Sequence, residues 1–214
     1  MLYIIRIKAQ ENSQALWDDV LANAGRLQEA LNDWGRMLYL SKRRNHDEVS
    51  LFLHMSDSRQ LGDFMARYLA KLKGVTDLWL IHMLKPRFLP LAEDAGQTKR
   101  YAITLRVFPA QLSEVYEKIA RLALPEGIRL GYVAYTMHLF GDSLQFSLLG
   151  RDAEKLASYL KSQVESIPGV LHMTVCEIER THSFLSRPEW DRYVARLGTE
   201  VSWDAESMAE QFRN

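Results

Sequence analysis

Gly141-Asp142-Ser143-Leu144-Gln145-Phe146-Ser147-Leu148-Leu149-Gly150-Arg151-Asp152 reads as a turn, a strand and the cap of a helix. Glycine and aspartate favour the turn, and a short carboxylate at Asp152 can accept from the free amides of a first helical turn. The helix that follows carries Leu156, Tyr159, Leu160 and Val164, and Pro168-Gly169 ends it before Val170. The same arrangement occurs earlier at a constant offset of 95 positions: Asp47, Val49, Leu51, Leu53, Asp57, Leu61, Gly74 and Val75 match Asp142, Leu144, Phe146, Leu148, Asp152, Leu156, Gly169 and Val170. Such self-similarity implies one unit used twice.

Outward from that stretch, the first half reads as a complete unit. Tyr3 to Ile7 is a β-branched run, and Leu16, Val20, Leu27 and Leu31 follow near helical spacing with an interruption at Gly25. Met37 to Leu40 predicts a second strand, Lys42 to Asp47 a polar turn, and Val49, Leu51 and Leu53 a third strand with one buried face. Asp57 caps a helix with Leu61, Phe64, Met65, Tyr68, Leu69 and Leu72 on one side, and Leu78 to Leu84 forms a fourth strand that Pro86 and Pro90 stop. The second half repeats the order with strands at 101–107, 132–139, 144–149 and 171–178. The sequence therefore predicts an α+β fold of two tandem ferredoxin-like β-α-β-β-α-β repeats, 1–90 and 100–185, with a linker at 91–99 and a helical tail at 186–214.

Composition narrows the function classes. Lys plus Arg equals Asp plus Glu at 27 each, which leaves no general basic field for nucleic acid. A single cysteine, Cys176, forms no internal disulfide and suits a reducing compartment. No apolar run reaches the roughly 18 residues of a bilayer span, and Met1 to Arg6 is unlike a signal peptide, so the expectation is a cytoplasmic protein.

Gly141-Asp142 through Asp152, then Ile167-Pro168-Gly169-Val170 and a strand with Thr174, resembles the ligand-binding module of the leucine-responsive/AsnC family of regulators, within the wider dimeric α/β-barrel group. The likeness covers 129–181 best and 36–84 less well, where His46-Asp47-Glu48 replaces the glycine turn and Lys73-Gly74-Val75 lacks the proline. It implies sheets that bury each other's faces, within one molecule or between subunits, with an oligomer favoured, and small effectors at those interfaces. Regulators of that family carry a helix-turn-helix DNA reader ahead of the module. Here the first strand begins at residue 2, so direct nucleic acid binding is not expected.

The candidate effector walls are Phe140, Gly141, Asp142, Ser143, Asp152 and the equivalent Asp47, because free amides at a turn and a helix start suit a carboxylate. Lys85 and Arg180 occupy equivalent positions near a possible cleft between the repeats, beside Phe88. His46, His54, His82, His138, His172 and His182 show no metal-site spacing, so no metal is expected. Some two-repeat barrel proteins bind haem through one histidine, but nothing here selects which, and no cofactor is expected. Cys176 reads as a small core residue, and no phosphate loop or nucleophile elbow occurs. The favoured function is a non-enzymatic regulatory or interaction protein that binds a small molecule, an amino acid or another carboxylate. The alternatives are a dimeric α/β-barrel enzyme, such as a cofactor-free monooxygenase or a haem protein, and an architectural oligomer subunit.

Overall fold

A computed structural model describes residues 1–10, 13–88, 98–137 and 143–200, without the side chains of 197–200. Its elements run β1 (Leu2–Ala9), α1 (Ser13–Ala22), α2 (Ala24–Leu31), β2 (Gly35–Arg43), β3 (Glu48–Met55), α3 (Leu61–Arg67), β4 (Val75–Phe88), β5 (Lys99–Val107), α4 (Leu112–Ala120), β6 (Ile128–Met137), β7 (Leu144–Gly150), α5 (Ala153–Tyr159), β8 (Val170–Ser183) and α6 (Arg187–Glu200). The single first helix expected from the spacing is two helices. The break is at Asn23, two residues before Gly25, where the Asn23 side-chain amide donates back to the Asp19 carbonyl at 2.8 Å.

The strands form one antiparallel sheet of eight, closed into a barrel in the order β1-β3-β2-β8-β5-β7-β6-β4. This corrects the expectation of two tandem ferredoxin-like repeats, each with its own sheet. The cause lies in β4 and β8, which are 14 residues long, about twice the expected strands at 78–84 and 171–178. The far end of β4 pairs with β6, and the far end of β8 pairs with β2 through Tyr39–Ser183, Leu40–His182 and Ser41–Thr181. Pro86 does not stop β4. The register with β6 shifts between Leu84 and Arg87, and Lys85 takes a φ of 45°, so the ladder skips the residue that has no N–H to give.

Alternation along each strand makes three apolar clusters. Ile5, Ile7, Leu51 and Leu53 pack under α1, α2 and α3, while Ile103, Leu105, Phe146 and Leu148 pack under α4 and α5. The opposite faces point into the barrel, where Leu2, Ile4, Phe52, Ile81, Met83 and Tyr132 form the third cluster. The interior therefore needs no second sheet or subunit to cover it, because closure covers it.

Gly169 links the helical layer to β8 at a φ of 96°, and a Cβ there would lie 2.4 Å from the Gln111 side-chain oxygen. Gly169→Ala should cost at least about 1–2 kcal/mol in urea denaturation, from left-handed strain, with the Gln111 contact adding to it. An unchanged midpoint would contradict that reading of the turn.

Candidate functional site

A cavity of about 260 Å³ opens at one end of the barrel, lined by residues that include Tyr39, Phe88, Arg100, Tyr132, Ser147 and Trp190. Its two tyrosines reach the interior by the same local device. The β2–β3 register shifts between Met37 and Tyr39, and the β6–β7 register between Leu130 and Tyr132. An extra residue at each bulge re-aims the tyrosine that follows it. At the second bulge the extra residue is Gly131, where a Cβ would lie 2.5 Å from the Ser147 hydroxyl. Glycine lets β6 approach β7 closely enough for Ser147 to share the cavity wall.

Aromatic rings set the shape of the space. Tyr39 stacks on Phe52 at 3.8 Å between centroids, and Phe88 lies 5.7 Å from Tyr132. Trp190 closes the mouth, edge-on to Tyr39 at 6.1 Å and to Phe88 at 5.6 Å. It is held there by the start of α6, where the Ser186 amide and hydroxyl both donate to the Glu189 carboxylate, at 2.8 and 2.7 Å. Arg36 of β2 also donates to Glu189, tying the helix to the barrel rim. These bonds, with Ser186 first, hold the Glu189 carboxyl down at about 2.

The polar groups inside carry the chemistry. Burial pushes the Tyr132 phenol up to about 12, outweighing the opposing pull of Arg43, Arg100 and Arg6. Burial likewise raises Tyr39 well above its ordinary value, with the neighbouring Tyr132 adding to it. Both phenols are therefore neutral hydrogen-bond donors near pH 7. Arg43 meets Glu48 at 3.1 Å deep in the barrel, so that charge is answered. Arg100 is half-buried, and among the described residues no carboxylate pairs with it. The described lining also holds no carboxylate, imidazole or thiol, hence no obvious general base. A cation, two phenols and aromatic walls suit a flat anion.

The Tyr132 phenol also links stability to pH. Its folded value lies above the ordinary 10, so the folded state keeps a proton that the unfolded chain loses between about pH 10 and 12. The contribution is whole below pH 10 and disappears as pH rises through 12, at a scale of about 2–3 kcal/mol. Urea titrations at pH 9 and 11 should show wild type losing more stability than Tyr132→Phe. Equal losses would show that this phenol is not buried as described.

The residues expected from sequence lie elsewhere. Phe140, Gly141, Asp142 and His138 fall outside the described residues. The Ser143 hydroxyl accepts from the Val107 amide at 3.3 Å, which packs the start of β7 against β5. Asp152 caps α5, accepting from the Lys155 amide at 3.0 Å, and Asp47 is exposed with its carbonyl taking the Ala9 amide at 2.7 Å. Lys85 pairs with Glu117 at 3.1 Å over the Tyr116 ring, and Arg180 donates to Gln14 at 3.3 Å; both are on the outer surface. The structure does not bring this set together. Phe88, noted beside Lys85, does line the cavity.

Sequence reasoning missed Arg100, Tyr39, Gln145 and Ser147. The available signal was the polar set Arg100, Thr104, Gln145 and Ser147 on strands whose other face was already apolar, which marks a polar interior once the sheet is closed. A second cavity of about 190 Å³ lies against α2 and α3, among Trp34, Phe64, Tyr68, Asp63 and Arg67. Its two charges answer each other at 3.5 Å, which leaves less to attract a ligand.

No family model and no curated protein matches the chain. Solved structures do. An anthrone oxidase-like protein superposes with a TM-score of 0.55 at 11% identity, over 85% of this chain and 92% of the other. A monooxygenase-like protein from Lactobacillus acidophilus NCFM gives 0.52 at 9%, over 85% and 95%. A chlorite dismutase variant from Candidatus Nitrospira defluvii, in complex with cyanide, gives 0.51 at 10%, over 84% and 91%. These likenesses establish the barrel fold. They also overturn the resemblance to leucine-responsive/AsnC regulators and the regulatory function drawn from it, since the neighbours are monooxygenase-like and chlorite dismutase-like proteins. The motif that suggested a regulator is a turn, a strand and a helix cap, and those parts serve any barrel of this shape.

Haem, implied for some proteins of this group, does not fit the described lining of this cavity. Among the described residues no histidine, cysteine or methionine lines the barrel cavity. Among the described histidines, His82 stacks on Tyr3 at 4.6 Å, His54 lies 5.5 Å from Tyr193, His46 sits 3.6 Å from the Cys176 sulfur, His172 lies 3.3 Å from the Thr174 hydroxyl, and His182 lies edge-on to Phe184 at 5.0 Å. Among the described residues no group of three His, Cys, Asp or Glu gathers to hold a metal. No helix among them is long and apolar enough to cross a membrane.

Proposed function

We propose that the barrel cavity binds a small aromatic anion, a phenolate, enolate or carboxylate, as substrate of an oxygen-consuming reaction that needs no resident cofactor. The observation that carries this is Arg100, a half-buried guanidinium without a carboxylate partner among the described residues, set between two protonated phenols and aromatic walls. Leaving such a cation uncompensated is costly, and an anionic ligand offsets the cost. The monooxygenase-like and anthrone oxidase-like neighbours suggest which reaction to try first.

In that reaction a substrate methylene beside an aromatic ketone is converted to a carbonyl. Dioxygen supplies one oxygen to the carbon and leaves as water with the two hydrogens, so the substrate is oxidised and oxygen is reduced. Arg100 and the phenols would keep the substrate in its oxyanion form, the electron-rich form from which oxygen draws electrons. Because the described lining offers no base, the substrate must ionise in solvent.

Oxygen uptake with anthrone tests the proposal. Uptake should be stoichiometric with the quinone formed, and its pH dependence should follow the ionisation of the substrate. No binding and no uptake across pH 7–9 would overturn it.

A further inference from the structure

Gln145 of β7 is 3% exposed, yet its side-chain oxygen has no hydrogen-bond partner. A buried amide oxygen left unpaired is a position where a donor is missing. The same side chain lies beside the Tyr132 phenol, where it favours the phenolate against the effect of burial.

Gln145 also lines a side chamber of about 20 Å³ that shares Tyr39, Arg100, Tyr132 and Ser147 with the main cavity. That volume takes one water-sized group, for which roughly 10–15 Å³ suffices. A ring cannot enter it, but a hydroxyl projecting from a ring can. Ser41, Ser50 and Arg43 also line it, and Arg43 is paired with Glu48 at 3.1 Å.

We propose that Gln145 selects aromatic ligands carrying a hydroxyl or N–H donor near their anionic group, with that donor in the side chamber and its hydrogen on the Gln145 oxygen. The inference rests on the anion-binding reading of the main cavity and adds the second recognition element. The ring lies between the aromatic walls, the anion meets Arg100, and the hydroxyl fills the chamber. A site built to bond a hydroxyl discriminates strongly against analogues lacking it, because its own polar group is then left buried and unpaired.

The test is a calorimetric titration of the full chain with 2-naphthoate and with its 1-, 3- and 6-hydroxy derivatives, each beside its methyl ether. At least one hydroxynaphthoate should bind about tenfold or more tightly than its ether and than 2-naphthoate. Gln145→Leu should remove that preference while 2-naphthoate still binds, and Gln145→Glu, which keeps an acceptor, should retain more of it than the leucine variant. Should Gln145→Leu fail to fold, the comparison of hydroxyl with ether on the wild type decides alone. Binding of 2-naphthoate with no gain from any hydroxyl would overturn this proposal and leave the anion site standing. Failure of every naphthoate to bind would overturn both.

Discussion

Arg100→Met should weaken binding of an aromatic anion by about 10- to 100-fold, the scale of one charged hydrogen bond worth roughly 1.5–3 kcal/mol. Methionine keeps much of the length and bulk of the side chain, so the change reports the charge. Arg100 is half-buried at the cavity wall, with no carboxylate partner to be stranded among the described residues. Its loss should therefore leave the barrel at least as stable as before. The measurement is a pair of titrations with 2-naphthoate and its neutral ester, methyl 2-naphthoate. The anion should lose affinity and the ester should not. Equal losses for both would mean that Arg100 shapes the cavity without answering a charge.

Glu48→Ala is expected to have the opposite profile, a large stability cost with the ligand site indirectly affected. Glu48 and Arg43 are each buried, with side chains only 9% and 8% exposed, and meet at 3.1 Å. The contact is within ion-pair distance, but the same Glu48 oxygen lacks a well-directed hydrogen bond. We therefore read it as an electrostatic pair of imperfect geometry. Such a pair adds little over an apolar replacement, yet removing one member strands a buried charge at about 3–5 kcal/mol. Urea denaturation should show that loss for Glu48→Ala, while the double variant Arg43→Met with Glu48→Leu should recover most of it. If the single variant costs less than about 1 kcal/mol, water reaches Arg43 and the barrel floor is not dry.

The two variants separate roles that the sequence ran together. Strand periodicity located all eight strands, since Leu51, Leu53, Phe146 and Leu148 mark the helix-covered face whatever closes the other side. It could not show closure, because closure depends on β4 and β8 continuing past Lys85 and Ile178. Pro86 appeared to forbid that continuation. A bulge at Lys85 permits it, and nothing in local propensity announces a bulge paired to a strand some fifty residues later.

The site was hidden for the same reason. Arg100, Gln145 and Ser147 alternate with apolar residues and look like solvent-facing positions of an ordinary half-buried strand. Closing the barrel reverses their meaning, since the polar face becomes the interior. The turn at 140–143 drew attention because glycine and aspartate are conspicuous, but Asp152 and Ser143 are used in capping and strand packing. Trp190 lies in the segment read only as a helical tail, and it packs over the cavity mouth beside Phe88.

The most direct test of the central claim is a calorimetric titration of the whole chain with 2-naphthoate, wild type beside Arg100→Met. The account predicts one site per chain in the wild type, with affinity at least about tenfold weaker in the variant. No heat of binding at millimolar ligand, or the same affinity in both proteins, would contradict it.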